Sequence, residues 1–386
     1  PGEGVGTVLL KRLSAAIRDA DPIHALIRAT AINHGGKTNG YTVPNPRAQG
    51  DLILRALVDA DVDATQISYV EAHGTGTDLG DPIEISGLRR AFGDAGTRPP
   101  CALGSVKSNV GHCESAAGIV GLTKVLLQMR HGMLVPTLHS DQPNPKIDFG
   151  STPFVLQHEC APWIRDNAKH QGIDRAPPRT AAVSSFGAGG ANAHVIVQEF
   201  DVPPRPQFVP SQAARAIVLS ARDPDRLLAM ARRLVQALER GDLARSNLGD
   251  IAYSLQVGRE AHDERWATLV DDQASLVERL KALCEGRDCA QSWRGNAKRN
   301  RAALALFAED GDIADAMQKW VVRGKLAKLL ESWTSGFPVD WAALHVGTFP
   351  RRVSLPTYPF HGDRHWAEPF AASRAATPVE ADLSRL

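Results

Sequence analysis

The chain has 386 residues, a length that is typical of two or three domains of about 150 residues each. Its 44 Lys and Arg nearly balance its 43 Asp and Glu, so no basic field indicates a nucleic acid or an anionic membrane as partner. No apolar run reaches the roughly 18–20 residues of a membrane-spanning helix, and five scattered cysteines without a CxxC pair predict neither a disulfide scaffold nor a zinc site. The chain starts without a signal-type segment and reads as the continuation of a longer protein, so a cytoplasmic location is the default expectation.

Residues 1–202 are rich in Gly, Ala, Val and Ile, and short apolar runs alternate there with amphipathic stretches. The predicted strands are Val5–Leu10, His24–Asn33, Ile67–Glu71, Ala102–Val106, Ala181–Ser185 and His194–Gln198. The predicted helices are Asp51–Ala60, Pro82–Phe92 and Ser115–Arg130. Strands that alternate with helices indicate a layered α/β fold.

The second part of the chain follows residues 203–212, a proline-rich stretch that predicts a stiff linker. The predicted helices of this part are Asp225–Arg240, Ser275–Glu285 and Ile313–Ser332, and its predicted strands are Ala216–Ser220 and Trp266–Val270. Residues 213–345 therefore predict a small α+β module. Residues 346–370, rich in proline and aromatic side chains, predict an extended strap, and residues 371–386 predict a flexible tail.

Three short clusters in the first part contain residues that are suited to catalysis. Glu71–Thr77 places His73 after a strand, in a tight Gly-x-Gly loop with two threonine hydroxyls beside it. Lys107–His112 precedes a helix N-terminus, which favours developing negative charge. Ser184–His194 forms a glycine-rich turn between strands, where backbone N–H groups are free to form an oxyanion hole.

Each cluster taken alone also fits a structural interpretation. One histidine among 13 is more often a surface or core residue than a catalytic one, and Lys107 alone fits a solvated charge. The glycine-rich turn matches neither GxxxxGK[ST] nor a dinucleotide site with its downstream acid. A nucleotide loop and a simple bulge therefore stay open for that turn.

Taken together and in this order, the clusters resemble the ketosynthase domain of modular type I polyketide synthases. The similarity runs through Pro1–Gly6, Val70–Thr77, Gly104–His112 and Ser184–Gly187, and His34–Pro46 resembles the trans-acyltransferase branch. Asp250–Glu260 resembles the linker domain that follows the ketosynthase, and Val339–Trp341, Leu355–Phe360 and Arg364–Trp366 resemble the strap that folds back onto it. No Gly-His-Ser-x-Gly elbow lies between these pieces, so the resemblance implies an acyltransferase that acts in trans.

The resemblance implies a thiolase-like layered fold, with residues 1–202 as the C-terminal half plus the end of the N-terminal half. It implies a decarboxylative Claisen condensation of an acyl thioester with malonyl-acyl carrier protein. By motif match, His73 and His112 would hydrogen-bond the oxygen that becomes an enolate, and Lys107 would tune the electrostatics near His112. The remaining implied site residues are Phe186 and Gly187 for the oxyanion and the gate of the acyl pocket, and Thr75, Thr77 and Asn109 for the phosphopantetheine arm.

The nucleophile of this family is a cysteine in a Thr-Ala-Cys-Ser-Ser type elbow. None of the five cysteines (Cys101, Cys113, Cys160, Cys284 and Cys289) lies in such a motif, although Cys113 directly follows His112. The resemblance therefore implies that the nucleophile lies N-terminal to these residues and that this chain supplies only the histidines.

The partners implied by the resemblance are an N-terminal ketosynthase part, the acyl carrier protein, a trans-acting acyltransferase and a second copy in a homodimer. No metal and no covalently bound cofactor are implied, because the phosphopantetheine arm of the carrier protein carries the substrate. Two alternatives stay open: a non-elongating ketosynthase that only transfers the chain, and a scaffold that recruits the acyltransferase or the carrier protein.

Overall fold

The computed structural model describes residues 1–40, 42–96, 99–165, 176–202, 215–244, 246–300, 311–347 and 350–362. The chain divides into two compact units, Pro1–Val209 and Pro210–Leu386. Within the described ranges, no helix is long and apolar enough to cross a membrane.

A mixed sheet of six strands forms the centre of the first unit. In chain order its strands and one separate pair are β1 (Leu26–His34), β2 (Tyr69–Glu71), β3 (Cys101–Gly104), β4 (Met133–Leu134), β5 (Phe154–Leu156), β6 (Ala161–Pro162), β7 (Thr180–Phe186) and β8 (Ala191–Gln198). The sheet order is β1-β8-β7-β2-β3-β5, and β4 pairs with β6 apart from it. Strand β2 runs parallel to both of its neighbours, whereas β8 is antiparallel to β1 and β7.

Helices cover both faces of this sheet. They are α1 (Leu13–Arg18), α2 (Pro46–Ala60), α3 (Gly80–Phe92), α4 (Lys107–Val110) and α5 (Ala117–His131). Alternate strand residues point to opposite faces, so Val70 packs with the cluster under α2 and α3 while Tyr69 packs with the cluster under α5. The predicted layered α/β fold is therefore confirmed, with two apolar cores separated by one sheet.

The predicted strand Val5–Leu10 is wrong. These residues form no strand, and Val5 and Leu9 are 93% and 98% exposed. A strand needs a hydrogen-bonding edge, and no described strand of this chain pairs with the segment. The Gly2 N–H instead donates to the His112 carbonyl, and Gly6 lies against the Ile119 side chain of α5.

The second unit contains an antiparallel sheet of three strands and five helices among its described residues. The strands are β9 (Arg215–Ala221), β10 (Glu264–Val270) and β11 (Ser292–Asn296), in the order β11-β10-β9. The helices are α6 (Pro224–Glu239), α7 (Leu248–Val257), α8 (Gln273–Cys284), α9 (Gly311–Val322) and α10 (Leu326–Ser335). The single predicted helix Ile313–Ser332 is wrong, because Gly324 adopts a left-handed φ of 62° that no α-helix continues through.

The described part of the predicted strap lies on the second unit itself. The N–H groups of Arg351 and Val353 donate to the side chains of Asp250 and Ser254 in α7, each at 2.8 Å. Leu355 is buried in the apolar core of the unit. Contact of the strap with the first unit stays a prediction, and the predicted linker, the predicted tail and Arg364–Trp366 lie outside the described residues.

Candidate active site

Three neighbouring strands of the first unit bring the predicted clusters together. Strands β7, β2 and β3 are adjacent and parallel, so their carboxyl ends meet at one edge of the sheet. Phe186 ends β7, His73 lies two residues beyond β2, and Lys107 lies three residues beyond β3. Residues that are more than 100 positions apart in sequence are therefore placed in one site.

A buried carboxylate fixes the backbone of the His73 loop. Glu84 of α3 accepts the N–H of His73 at 2.7 Å and the N–H of Gly74 at 2.9 Å. Burial raises the pKa of Glu84 to about 7, an effect that these two hydrogen bonds oppose. The sequence analysis missed Glu84, because a spacing of eleven residues between an acid and a histidine indicates no contact.

The two predicted histidines lie side by side. The ring centroids of His73 and His112 are 5.4 Å apart and the rings meet edge to face at 83°. His112 follows α4, and its Nδ1 is 2.9 Å from the Glu114 N–H, which it accepts. Because Nδ1 accepts, the neutral ring carries its hydrogen on Nε2 and is a donor there.

Lys107 places a hydrogen-bond donor beside Nδ1 of His73, as the Glu114 N–H does for His112. The sequence analysis associated Lys107 with His112, but the structure places its Nζ 3.4 Å from His73 Nδ1. An ammonium group donates only, so His73 also accepts at Nδ1 and carries its hydrogen on Nε2. Burial, then the positive charge of Lys107, then His112 lower the pKa of His73 to about 3, and burial lowers that of Lys107. His73 is therefore a neutral imidazole at physiological pH.

Phe186 closes one side of the histidine pair. Its ring centroid is 5.7 Å from that of His73, and the side chain is buried. The N–H of Gly187 donates to the Ala191 carbonyl at 2.7 Å and so belongs to the turn between β7 and β8. The oxyanion role predicted for this segment thus rests on the Phe186 N–H and stays a prediction.

The residues predicted to hold the phosphopantetheine arm are exposed beside the site. The hydroxyl oxygens of Thr75 and Thr77 are 3.1 Å apart, and the Thr77 hydroxyl accepts the Gly80 N–H. Asn109, on α4, lines a cavity of about 500 Å³ together with Val106 and other residues of the first unit. Their role in holding the phosphopantetheine arm stays a prediction.

The cysteines differ in their surroundings. Cys101 and Cys113 are buried, Cys160 is exposed, and Cys284 and Cys289 belong to the second unit. The Sγ of Cys113 points to the Gly111 carbonyl at 3.9 Å. In the described part of the chain, no group of three or more His, Cys, Asp or Glu side chains is arranged to hold a metal ion.

Two family models match the chain. Residues 24–141 match the β-ketoacyl synthase C-terminal domain, and residues 218–287 match the RhiE-like KS-MAT linker domain. Polyketide synthase PksL of Bacillus subtilis is 49% identical over 371 residues, which are 95% of this chain and 8% of that protein. Polyketide synthase ThaG of Burkholderia thailandensis is 49% identical over 392 residues, 97% of this chain and 7% of that protein. The chain thus spans less than a tenth of these relatives.

Solved ketosynthases share the fold. The ketosynthase from module 6 of the bacillaene synthase of Bacillus subtilis 168 aligns with a TM-score of 0.81 at 37% identity, covering 92% of this chain and 60% of that one. An oxazolomycin ketosynthase domain of Streptomyces albus aligns with a TM-score of 0.77 at 42% identity, covering 92% and 57%. These matches confirm the thiolase-like fold and the resemblance that the motifs indicated. They identify residues 24–141 as a β-ketoacyl synthase C-terminal domain and residues 218–287 as a KS-MAT linker domain, the pair of domains that this chain shares with polyketide synthases.

Proposed function

We propose that the first unit supplies the two histidines of a ketosynthase site that performs decarboxylative Claisen condensation. The observation that carries this proposal is the pair of adjacent imidazoles, His73 and His112, each with a donor beside its Nδ1, so that each neutral ring would carry its hydrogen on Nε2. Two neighbouring donors in a half-buried site would stabilise one oxygen as it gains negative charge. The partners on Nδ1 orient the rings before the reaction begins, so no reorganisation is needed.

The proposed reaction would use this arrangement in the following way. The malonyl carbon–carbon bond breaks, CO₂ leaves, and the electron pair moves onto the thioester oxygen of the carrier-bound unit as an enolate. The Nε2–H groups of His73 and His112 hold that oxygen, and His73 stays neutral because its pKa is about 3. The enolate carbon then attacks the acyl thioester on a cysteine, a new carbon–carbon bond forms, and the cysteine thiolate leaves.

The cysteine nucleophile is proposed to lie outside these 386 residues, in an N-terminal ketosynthase part. This is supported by the absence of an elbow motif around any of the five cysteines and by the burial of Cys101 and Cys113. The proposal favours condensation over simple chain transfer, because chain transfer has no enolate and does not need two donors for one oxygen.

The proposed partners follow from the two matched domains. An acyl carrier protein would deliver the substrate on its phosphopantetheine arm, along Thr75, Thr77 and Asn109. The KS-MAT linker match over residues 218–287, without a transferase elbow in the sequence, supports an acyltransferase that acts in trans. The completed ketosynthase would form a homodimer.

A test of the proposed function joins the chain to the N-terminal part that carries the cysteine, and measures self-acylation and condensation separately by mass spectrometry. His73→Ala is expected to keep self-acylation and to lower condensation by at least about a hundredfold, the size of an oxyanion-hole loss. The matched control is His24→Ala, at an exposed histidine. Undiminished condensation by His73→Ala would overturn the proposal.

A further inference from the structure

We propose that Glu71 is a positioning residue, which holds helix α4 and its Lys107 against the strand that leads to His73. The catalytic consequence of this role rests on the proposed function, whereas its structural consequence does not. Glu71 belongs to a motif that the sequence analysis quoted, and the mechanism above uses only the histidine of that motif.

Glu71 joins three elements of the first unit through its carboxylate. It ends β2 and is only 2% exposed. One oxygen, Oε1, accepts the N–H of Val106, the residue before α4, at 2.6 Å. The other, Oε2, accepts the Tyr69 hydroxyl at 2.7 Å and lies 2.9 Å from Nζ of Lys124 in α5.

Packing alone does not account for an ion pair at this position. Glu71 and Lys124 are both more than nine-tenths buried, and two buried charges are often no more stable than an apolar pair of the same volume. Helix α5 has Gly121 opposite the carboxylate, where an added Cβ would lie 3.1 Å from Glu71 Cγ. Gly121 thus lets the Glu71 side chain approach the helix closely.

The acceptor matters because Val106 is bonded directly to Lys107. The Lys107 Nζ lies 3.4 Å from His73 Nδ1, and this distance depends on how α4 is seated relative to the end of β2. Ser105 also joins the two segments, but its hydroxyl contacts to the Gly74 carbonyl and the Lys107 N–H are long, each 3.4 Å. The backbone N–H of Ala72 donates to the Gly104 carbonyl at 2.8 Å and joins the two strand ends, and the 2.6 Å bond from Val106 to Glu71 is the short side-chain tether that reaches the start of α4.

The test uses the Lys124→Met background, which removes the buried ammonium, and compares Glu71→Gln with Glu71→Leu there. Neither double variant contains a buried charge at this position, and we expect both to fold, with the Leu variant melting lower because the Val106 N–H and the Tyr69 hydroxyl lose their Glu71 acceptor. Glutamine keeps an oxygen for the Val106 N–H, whereas leucine does not. In the completed ketosynthase we expect the Gln double variant to condense within about threefold of the wild type, and the Leu double variant to fall at least about tenfold below the Gln double variant, with self-acylation unchanged.

A second measurement is independent of activity. In the full chain labelled with ¹⁵N-histidine, the Leu variant is expected to shift the nitrogen signals of His73 from the Nε2–H tautomer toward a mixture, and the Gln variant is not. Equal condensation and an unchanged His73 tautomer in the Leu variant would overturn the inference. If His73→Ala left condensation intact while the tautomer shift occurred, the proposed function would fail and the positioning role would stand.

Discussion

The two units bury polar side chains for different ends. In the first unit Glu84 and Lys107 contact His73, and Glu71 binds the N–H of the residue that precedes Lys107. In the second unit the buried side chains of Asp250 and Ser254 instead bind the backbone of the strap. A buried polar group costs stability unless its partners are present, so the position of those partners shows what the group maintains. The buried polar groups of the first unit therefore maintain the geometry of the candidate site, and those of the second unit maintain the path of the strap.

After the loss of His73 itself, a large effect on condensation is expected from removing the carboxylate under the His73 loop. In Glu84→Gln the amide oxygen accepts only one of the two N–H groups of His73 and Gly74, and the amide nitrogen faces the other donor. We expect condensation by the completed ketosynthase to fall at least about tenfold, because an unsatisfied buried donor costs about 1–3 kcal/mol and displaces the ring. The control is Glu159→Gln, at an exposed glutamate.

The same carboxyl group predicts a pH dependence. With a pKa of about 7, Glu84 gains a proton as the pH falls through 7 and then loses acceptor capacity toward the loop. Condensation is therefore expected to rise with pH between about 6 and 8, whereas the Glu84→Gln profile is flat there. His73 does not contribute to this limb, because its pKa is about 3. Identical pH profiles of condensation for the wild type and Glu84→Gln would contradict a role of Glu84 in the site.

A smaller effect concerns the stability of the first unit in acid. His194 in β8 is fully buried, its Nδ1 lies 3.0 Å from the Ser184 hydroxyl, and burial lowers its pKa to about 3. His194 takes up a proton near pH 6.5 in the unfolded chain but only near pH 3 in the folded chain. Its contribution to the free energy of unfolding is therefore fully present above pH 6.5 and declines as the pH falls toward 3. The decline is at most about 1.4 kcal/mol per pH unit.

Urea unfolding of the full chain between pH 7.5 and 4.5 measures this decline, with His194→Gln as the variant and His131→Gln, at an exposed histidine, as the control. The variant is expected to lose part of the slope and the control to keep it. Glu84 acts in the opposite sense, since its raised pKa favours the folded state as the pH falls from 7 to 4.5, so the difference between variants is the quantity to compare. If His194→Gln left the pH dependence of the unfolding free energy unchanged, His194 would not be the origin of the decline.

The strands and histidines of the site could be predicted from the sequence, whereas the buried side chain that holds the His73 loop could not. The strands that precede His73 and Lys107 were predictable from apolar runs that end at turn residues, and the family resemblance placed the two histidines in one site. The Glu84 contact depends on how α3 packs over the loop, which spacing does not encode. Val5–Leu10 has strand composition, but composition does not supply a partner edge.

The smallest effect is expected in the second unit and sharpens its contrast with the first. The Ser254 hydroxyl accepts the Val353 N–H at 2.8 Å and donates to the Asp250 carbonyl at the same distance. Ser254→Ala leaves that strap N–H without its acceptor, so the free energy of unfolding should fall by about 1–2 kcal/mol while condensation stays within twofold, about the error of such an assay. Thr357→Ala, at an exposed strap residue, is the control and should change neither quantity. If Ser254→Ala instead lowered condensation as strongly as Glu84→Gln does, the buried polar groups of the second unit would also serve the site, and the division of roles between the two units would be wrong.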